Sequence, residues 1–90
     1  MIAEETKIKN DIREAIDRAY EGDTIYMVGA AKSVRITWQN RNGWFWIRYY
    51  GRHQRTHNAY PEERLYEMIR YYMRKGLRLT DAEGYWTYWS

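Results

Sequence analysis

Ninety residues without a cysteine read as one small domain, residues 1–90, with room for a core but not also for an enzyme-sized cleft, and without disulfides or thiolate metal sites. No apolar run approaches the ~18–20 residues of a membrane span, and MIAEETKIKND lacks the apolar stretch of a signal peptide, so the expectation is a soluble, cytoplasmic protein. The formal net charge of +3 conceals a polarised chain: all twelve acids lie at or before Asp23 or at or after Glu62, whereas Thr24 to Pro61 carries Lys32, Arg35, Arg41, Arg48, Arg52, Arg55 and eight aromatic residues.

Ile8, Ile12, Ala15, Ile16, Ala19 and Tyr20 recur every three or four residues, with Lys7, Lys9, Arg13, Glu14 and Arg18 elsewhere. That period predicts an amphipathic helix from about Glu4 to Glu21, ended by Gly22 in a left-handed conformation. From Asp23 the pattern becomes extended, first TIYMV, then a small-residue turn, then Val34, Ile36 and Trp38 alternating with Arg35, Thr37 and Gln39. Asn42-Gly43 is the strongest short-range hairpin signal, because both central residues of a type I′ turn need positive φ. The strand WFWIRYY returns from it.

With Asn42 and Gly43 as a two-residue loop, Arg41 would face Trp44, Gln39 would face Trp46, and Ile36 would face Tyr49. Moving that loop back by one residue changes the pairs but not the faces, since side chains alternate with a period of two. One face is then Val34, Ile36, Trp38, Phe45, Ile47 and Tyr49, and the other Arg35, Thr37, Gln39, Trp44, Trp46, Arg48 and Tyr50. Gly51-Arg52 is suited to the next tight turn, followed by a short polar edge strand, QRTHNAY. A two-residue loop there would bring His53, Arg55 and His57 to the basic, aromatic face, and a three-residue loop would turn them away.

Pro61 opens a second helix, with Glu62 and Glu63 in its first turn and Arg74 and Lys75 in its last before Gly76, where the helix dipole favours each sign. Leu65, Met68, Ile69, Tyr72 and Met73 form its apolar stripe, expected to cover the Ile36/Ile47 side of the sheet. The tail from Thr80 to Ser90 has a turn, DAEG, and then YWTYW, either a strand beside Ile25 to Val28 or an aromatic peg in an interface. The predicted fold is α+β: a helix, an antiparallel meander sheet of three to four strands, a helix on one sheet face, and an aromatic C-terminal tail.

The stripe of Trp44, Trp46, Arg48 and Tyr50 has two readings. Exposed rings stack on nucleic-acid bases, at about 1–3 kcal/mol each, while guanidinium groups hold phosphate. Alternatively, the rings and cations cover one another by cation–π packing, or the YWTYW tail folds over them. Packing alone accounts less well for the missing acids, because a self-contained surface normally interleaves both signs. His53 and His57, four apart, would be about 13 Å apart on a strand and so do not suggest a metal site. A two-histidine nuclease ranks behind phosphate contact, since no carboxylate neighbours them in sequence. Glu62, Glu63, Asp81 and Glu83 read as helix-start and turn residues. There is no Gly-rich phosphate loop and no catalytic carboxylate pair, so neither catalysis nor a cofactor is expected.

The run from Ser33 to Lys75 resembles the three-stranded DNA-binding module at the amino end of many tyrosine-recombinase integrases and in plant ethylene-response-type factors. The matching elements are a hairpin ending in Asn42-Gly43, the strand WFWIRYYGR from Trp44 to Arg52, a basic third strand, and an amphipathic helix with an acidic first turn. That resemblance implies a sheet laid in the DNA major groove with Arg35, Trp46, Arg48 and Arg55 near it. The chain departs from the pattern in having fewer Lys and Arg in the loop and a helix ahead of the sheet. The order of elements is also similar to double-stranded-RNA-binding domains, but Pro61-Glu62-Glu63 stands where those domains present lysines. Small aromatic-rich αβββα proteins also resemble, in style, phage inhibitors of host defence of the anti-CRISPR type.

The leading expectation is a non-enzymatic domain that binds nucleic acid through Arg35, Trp44, Trp46, Arg48, Tyr50, Arg52, Arg55 and His57. The alternative is a phage or mobile-element protein whose Tyr/Trp/Arg face binds and inhibits a host protein, such as a nucleic-acid-handling enzyme. No membrane partner is expected.

Overall fold

Both main helices end where a glycine can take a positive φ. Gly22 (φ 111°) donates its N–H to the Ala19 carbonyl and Asp23 donates to Arg18; Gly76 (φ 94°) and Leu77 repeat that pattern on Met73 and Tyr72. Each helix thus closes with its last carbonyls satisfied. A computed structural model describes residues 2–84, with side chains from Glu4 onward. The elements are α1 (Ile2–Tyr20), β1 (Ile25–Gly29), β2 (Lys32–Gln39), β3 (Trp44–Tyr50), β4 (Arg55–Tyr60), α2 (Glu62–Arg74) and β5 (Arg78–Thr80). The YWTYW segment lies outside the described residues.

The strands form one antiparallel sheet of order β4-β3-β2-β1-β5. The α+β meander is the expected fold, and the sheet has five strands, one more than the upper expectation of four. The strand beside β1 is the Arg78-Leu79-Thr80 segment, which ends at the first residue of the tail. Asp81 Oδ1 then accepts the Gly84 N–H at 2.8 Å, which caps a helical turn at DAEG.

The β2–β3 register is the one reached by moving the two-residue loop back by one position, not the one with Asn42 and Gly43 as the loop. Gln39 pairs with Trp44, Trp38 with Phe45, Ile36 with Ile47 and Arg35 with Arg48, so the loop holds the four residues 40–43. Gly43 has positive φ (69°) but Asn42 does not, and the N–H groups of Asn42 and Gly43 both reach the Gln39 carbonyl, at 3.1 and 2.9 Å. The connection is a four-residue hairpin loop rather than a type I′ turn. An even number of loop residues preserves the alternation, so both faces are as the sequence pattern assigned them.

The inner face carries Ile25, Met27, Val34, Ile36, Phe45 and Ile47, all buried, against Ile12 and Ala19 of α1 and Leu65, Ile69 and Tyr72 of α2. Phe45 is completely buried, with its ring 5.2 Å from Tyr20 and 4.8 Å from Trp38. Tyr20, itself edge-on to Trp38 at 4.6 Å, donates its hydroxyl to Glu62, joining the end of α1 to the start of α2. Arg70 and Glu5 tie the two helices at a second point, 3.3 Å apart. Among the described residues, no helix is long and apolar enough to cross a membrane.

Burial, reinforced by neighbouring Tyr60, Tyr71 and Tyr49, pushes the Tyr72 phenol up to about 12. Tyr20 is also raised to about 12, through burial and then the Glu62 hydrogen bond, but its 40% exposure discounts its weight. The folded state therefore holds these protons more tightly than the unfolded chain, whose tyrosines ionise near ~10. That stability is fully present below pH ~10 and is lost as pH rises towards ~12, by up to ~2–3 kcal/mol for Tyr72. Urea midpoints measured from pH 8 to 11.5 are expected to fall steeply above pH ~10, and Tyr72→Phe is expected to flatten that fall.

Candidate functional site

Because α1 and α2 both pack on the inner face, the outer face takes every alternate strand residue. Reading across the register, one row is Arg55, Tyr50, Ser33, Val28 and Arg78, and the next is His57, Arg48, Arg35, Tyr26 and Thr80. A third row is Ala59, Trp46 and Thr37, and Trp44 beside Gln39 completes the face. Neighbouring strands lie about 4.8 Å apart, so His57, Arg48 and Arg35 form three adjacent cationic or protonatable positions on three successive strands.

The β3–β4 loop also holds four residues, 51–54, closed by the Gly51 N–H on the Gln54 carbonyl at 2.7 Å. Its even count places Arg55 and His57 on the outer face with Arg48 and Tyr50. His53 sits in the loop itself, exposed, and not on the strand, which corrects the two-residue-loop expectation. Arg52 shares that loop, and Arg41 lies in the loop at the opposite end of β3. Among the described residues, no group of three or more His, Cys, Asp or Glu could hold a metal ion.

Exposure divides the outer face in two. Over β3 and β4, Trp44 is 43% exposed, Arg48, Arg55 and His57 are exposed, and Trp46 and Tyr50 are partly so. Over β1 and β2, Val28 is 3% and Ser33 0% exposed, and Arg35 is half-buried at the boundary. The accessible part is therefore the β3–β4 half together with the two loops. Trp46 packs on the His57 ring at 4.3 Å, and the Arg55 guanidinium lies 5.8 Å from the Tyr50 ring. Trp44 and Trp46 make no cation–π contact among the described residues, so mutual covering of rings and cations applies to Tyr50 and Arg55 but not to the tryptophans.

The described ion pairs, Lys7–Asp11, Glu14–Arg18, Arg64–Glu67 and Glu5–Arg70, all lie on the helices. Arg41, Arg48, Arg52 and Arg55 make no ion pair among the described residues. Lys32, another cation of the acid-free window, donates instead to the Lys75 carbonyl at the end of α2, where a cation complements the helix dipole. Arg78 was missed by the sequence pattern and joins the outer face at the far edge, where it is exposed. Its signal was the polar-apolar-polar triplet Arg78-Leu79-Thr80 directly after the Gly76 stop, too short to stand out as a strand.

No protein family, curated protein or solved structure matches the chain. The class of protein is therefore read from its surface: a small α+β domain with two helices on one face of its sheet and exposed arginine and aromatic side chains on the other.

Proposed function

We propose that this protein is a non-enzymatic domain that holds nucleic acid against the exposed half of its sheet. The observation that carries the reading is the cross-strand row of Arg35, Arg48 and His57. Arg48, exposed at the centre of that row, makes no ion pair among the described residues and is open to a phosphate lying across the sheet. Arg48, Arg52 and Arg55, with Arg35 at the boundary, hold phosphate, while Trp44, Trp46 and Tyr50 offer their rings to bases. The resemblance to the integrase-type module draws on the same strand residues, and its Arg35, Trp46, Arg48 and Arg55 share this face.

Phosphate contact releases counterions, so affinity falls with salt. With three to five cations engaged, the slope of log K against log salt is about −2 to −4. Fluorescence anisotropy with labelled single- and double-stranded DNA and RNA at about 50 mM salt should show binding with that dependence. Absence of binding to all four would end the proposal. A host-protein partner, as in a phage anti-defence inhibitor, draws on the exposed Trp44 and the Tyr/Arg composition of the same face. A partner captured from lysate, resistant to nuclease and lost with Arg48→Glu, would favour that reading.

A further inference from the structure

Resting on the nucleic-acid reading, we infer that the ligand is single-stranded, with its bases splayed along β3 rather than paired in a duplex. Along β3 the outward order is Trp44, Trp46, Arg48, Tyr50, with exposed Arg41 and Arg52 in the loops at its two ends, so cations flank and interrupt a run of rings. Trp44 and Trp46 are two residues apart on one strand, which separates them by about 6.8 Å. Bases in a duplex strand follow one another at about 3.4 Å. Two adjacent bases that stack on these two rings must therefore be pulled apart to about twice the duplex rise, which a single strand allows and a paired helix does not.

The surroundings of the rings agree with this. Neither α1 nor α2 lies on the outer face, so neither main helix is available to enter a groove from that side. Trp46 packs on His57, 4.3 Å between centroids with the ring planes 42° apart, so the indole is propped from the neighbouring strand. Trp44, 43% exposed, stands at the end of the strand where a base reaches it without displacing protein. The seven residues of β3 span about 24 Å, enough for about four splayed nucleotides between Arg41 and Arg52. This is the lower end of the site sizes of sheet-based single-strand binders.

The test is anisotropy on the intact protein with labelled mixed-sequence DNA and RNA single strands of 4, 6, 8 and 12 nucleotides, beside a hairpin duplex of the same sequence. Single strands are expected to bind at least about 10-fold tighter than the duplex, with affinity levelling off once the strand exceeds about four to six nucleotides. Binding should quench tryptophan emission, and Trp44→Ala and Trp46→Ala should each weaken single-strand binding by about 10-fold, with Trp46→Phe restoring part of the loss. Circular dichroism of each variant monitors folding, and the exposed Trp44 provides the variant least able to disturb it. The DNA and RNA arms show which sugar is preferred. Equal or tighter duplex binding, or single-strand binding indifferent to both tryptophans, overturns this inference and leaves the electrostatic reading intact. Failure of every nucleic acid to bind overturns both.

Discussion

Arg48→Glu is expected to lower nucleic-acid affinity by about 10- to 100-fold while leaving the domain as stable as before, or more so. Arg48 stands opposite Arg35 on one side and His57 on the other, at the centre of the exposed cationic half of the sheet. Reversing its charge removes a phosphate contact and adds a repulsive one. In the free protein the same change puts a carboxylate opposite Arg35 in place of a second guanidinium, and cross-strand pairs of opposite sign stabilise by about 0.2–1 kcal/mol. Anisotropy and urea unfolding on one preparation measure both effects. A variant that loses binding and more than ~1 kcal/mol of stability together would show that Arg48 is there for packing.

Phe45→Ala is expected to have the largest effect on stability, a loss of about 3–5 kcal/mol, and to leave the domain partly unfolded at room temperature. The ring is completely buried and is shared by Tyr20 of α1 and Trp38 of β2, so its removal opens a cavity where helix and hairpin meet. Tyr20 also carries the hydroxyl contact to Glu62, and the damage therefore spreads to the start of α2. The neighbouring Trp44→Ala change, one residue away but on the opposite face, is expected to alter stability by less than about 0.5 kcal/mol. Thermal melts of the two variants test the face assignment directly: comparable losses would mean that the alternation along β3 is misread.

Much of this molecule is legible from local chemistry. The three- and four-residue spacing of Ile8, Ile12, Ala15, Ile16 and Ala19 and the stop at Gly22 describe α1, and Pro61 and Gly76 bracket α2. The two faces of β2 and β3 follow from alternation alone. The exact pairs did not, because the Asn42-Gly43 signal is satisfied by more than one loop, and the chain closes four residues around the Gln39 carbonyl with only Gly43 at positive φ. Of the candidate residues, Trp44, Trp46, Arg48, Tyr50, Arg55 and His57 share one accessible surface and Arg52 borders it. Arg35 shares that face but is half-buried. No local signal distinguishes Arg35 from Arg48, since both occupy outward positions on adjacent strands.

The sequence by itself determined the segregation of charge, both main helices, the strands ahead of the second helix, and which residues of β2 and β3 lie on the same side, because helix stops and side-chain alternation are local properties of the chain. Only the tertiary structure decided which of those residues meet. It placed Arg48 against Arg35 and His57, drew Lys32 away to the end of α2, and brought Arg78 onto the sheet through β5. Cross-strand register and edge pairing are set by loop closure and by the packing of two helices on one face. Those forces act between residues distant in the chain, where composition and spacing carry no information about distance.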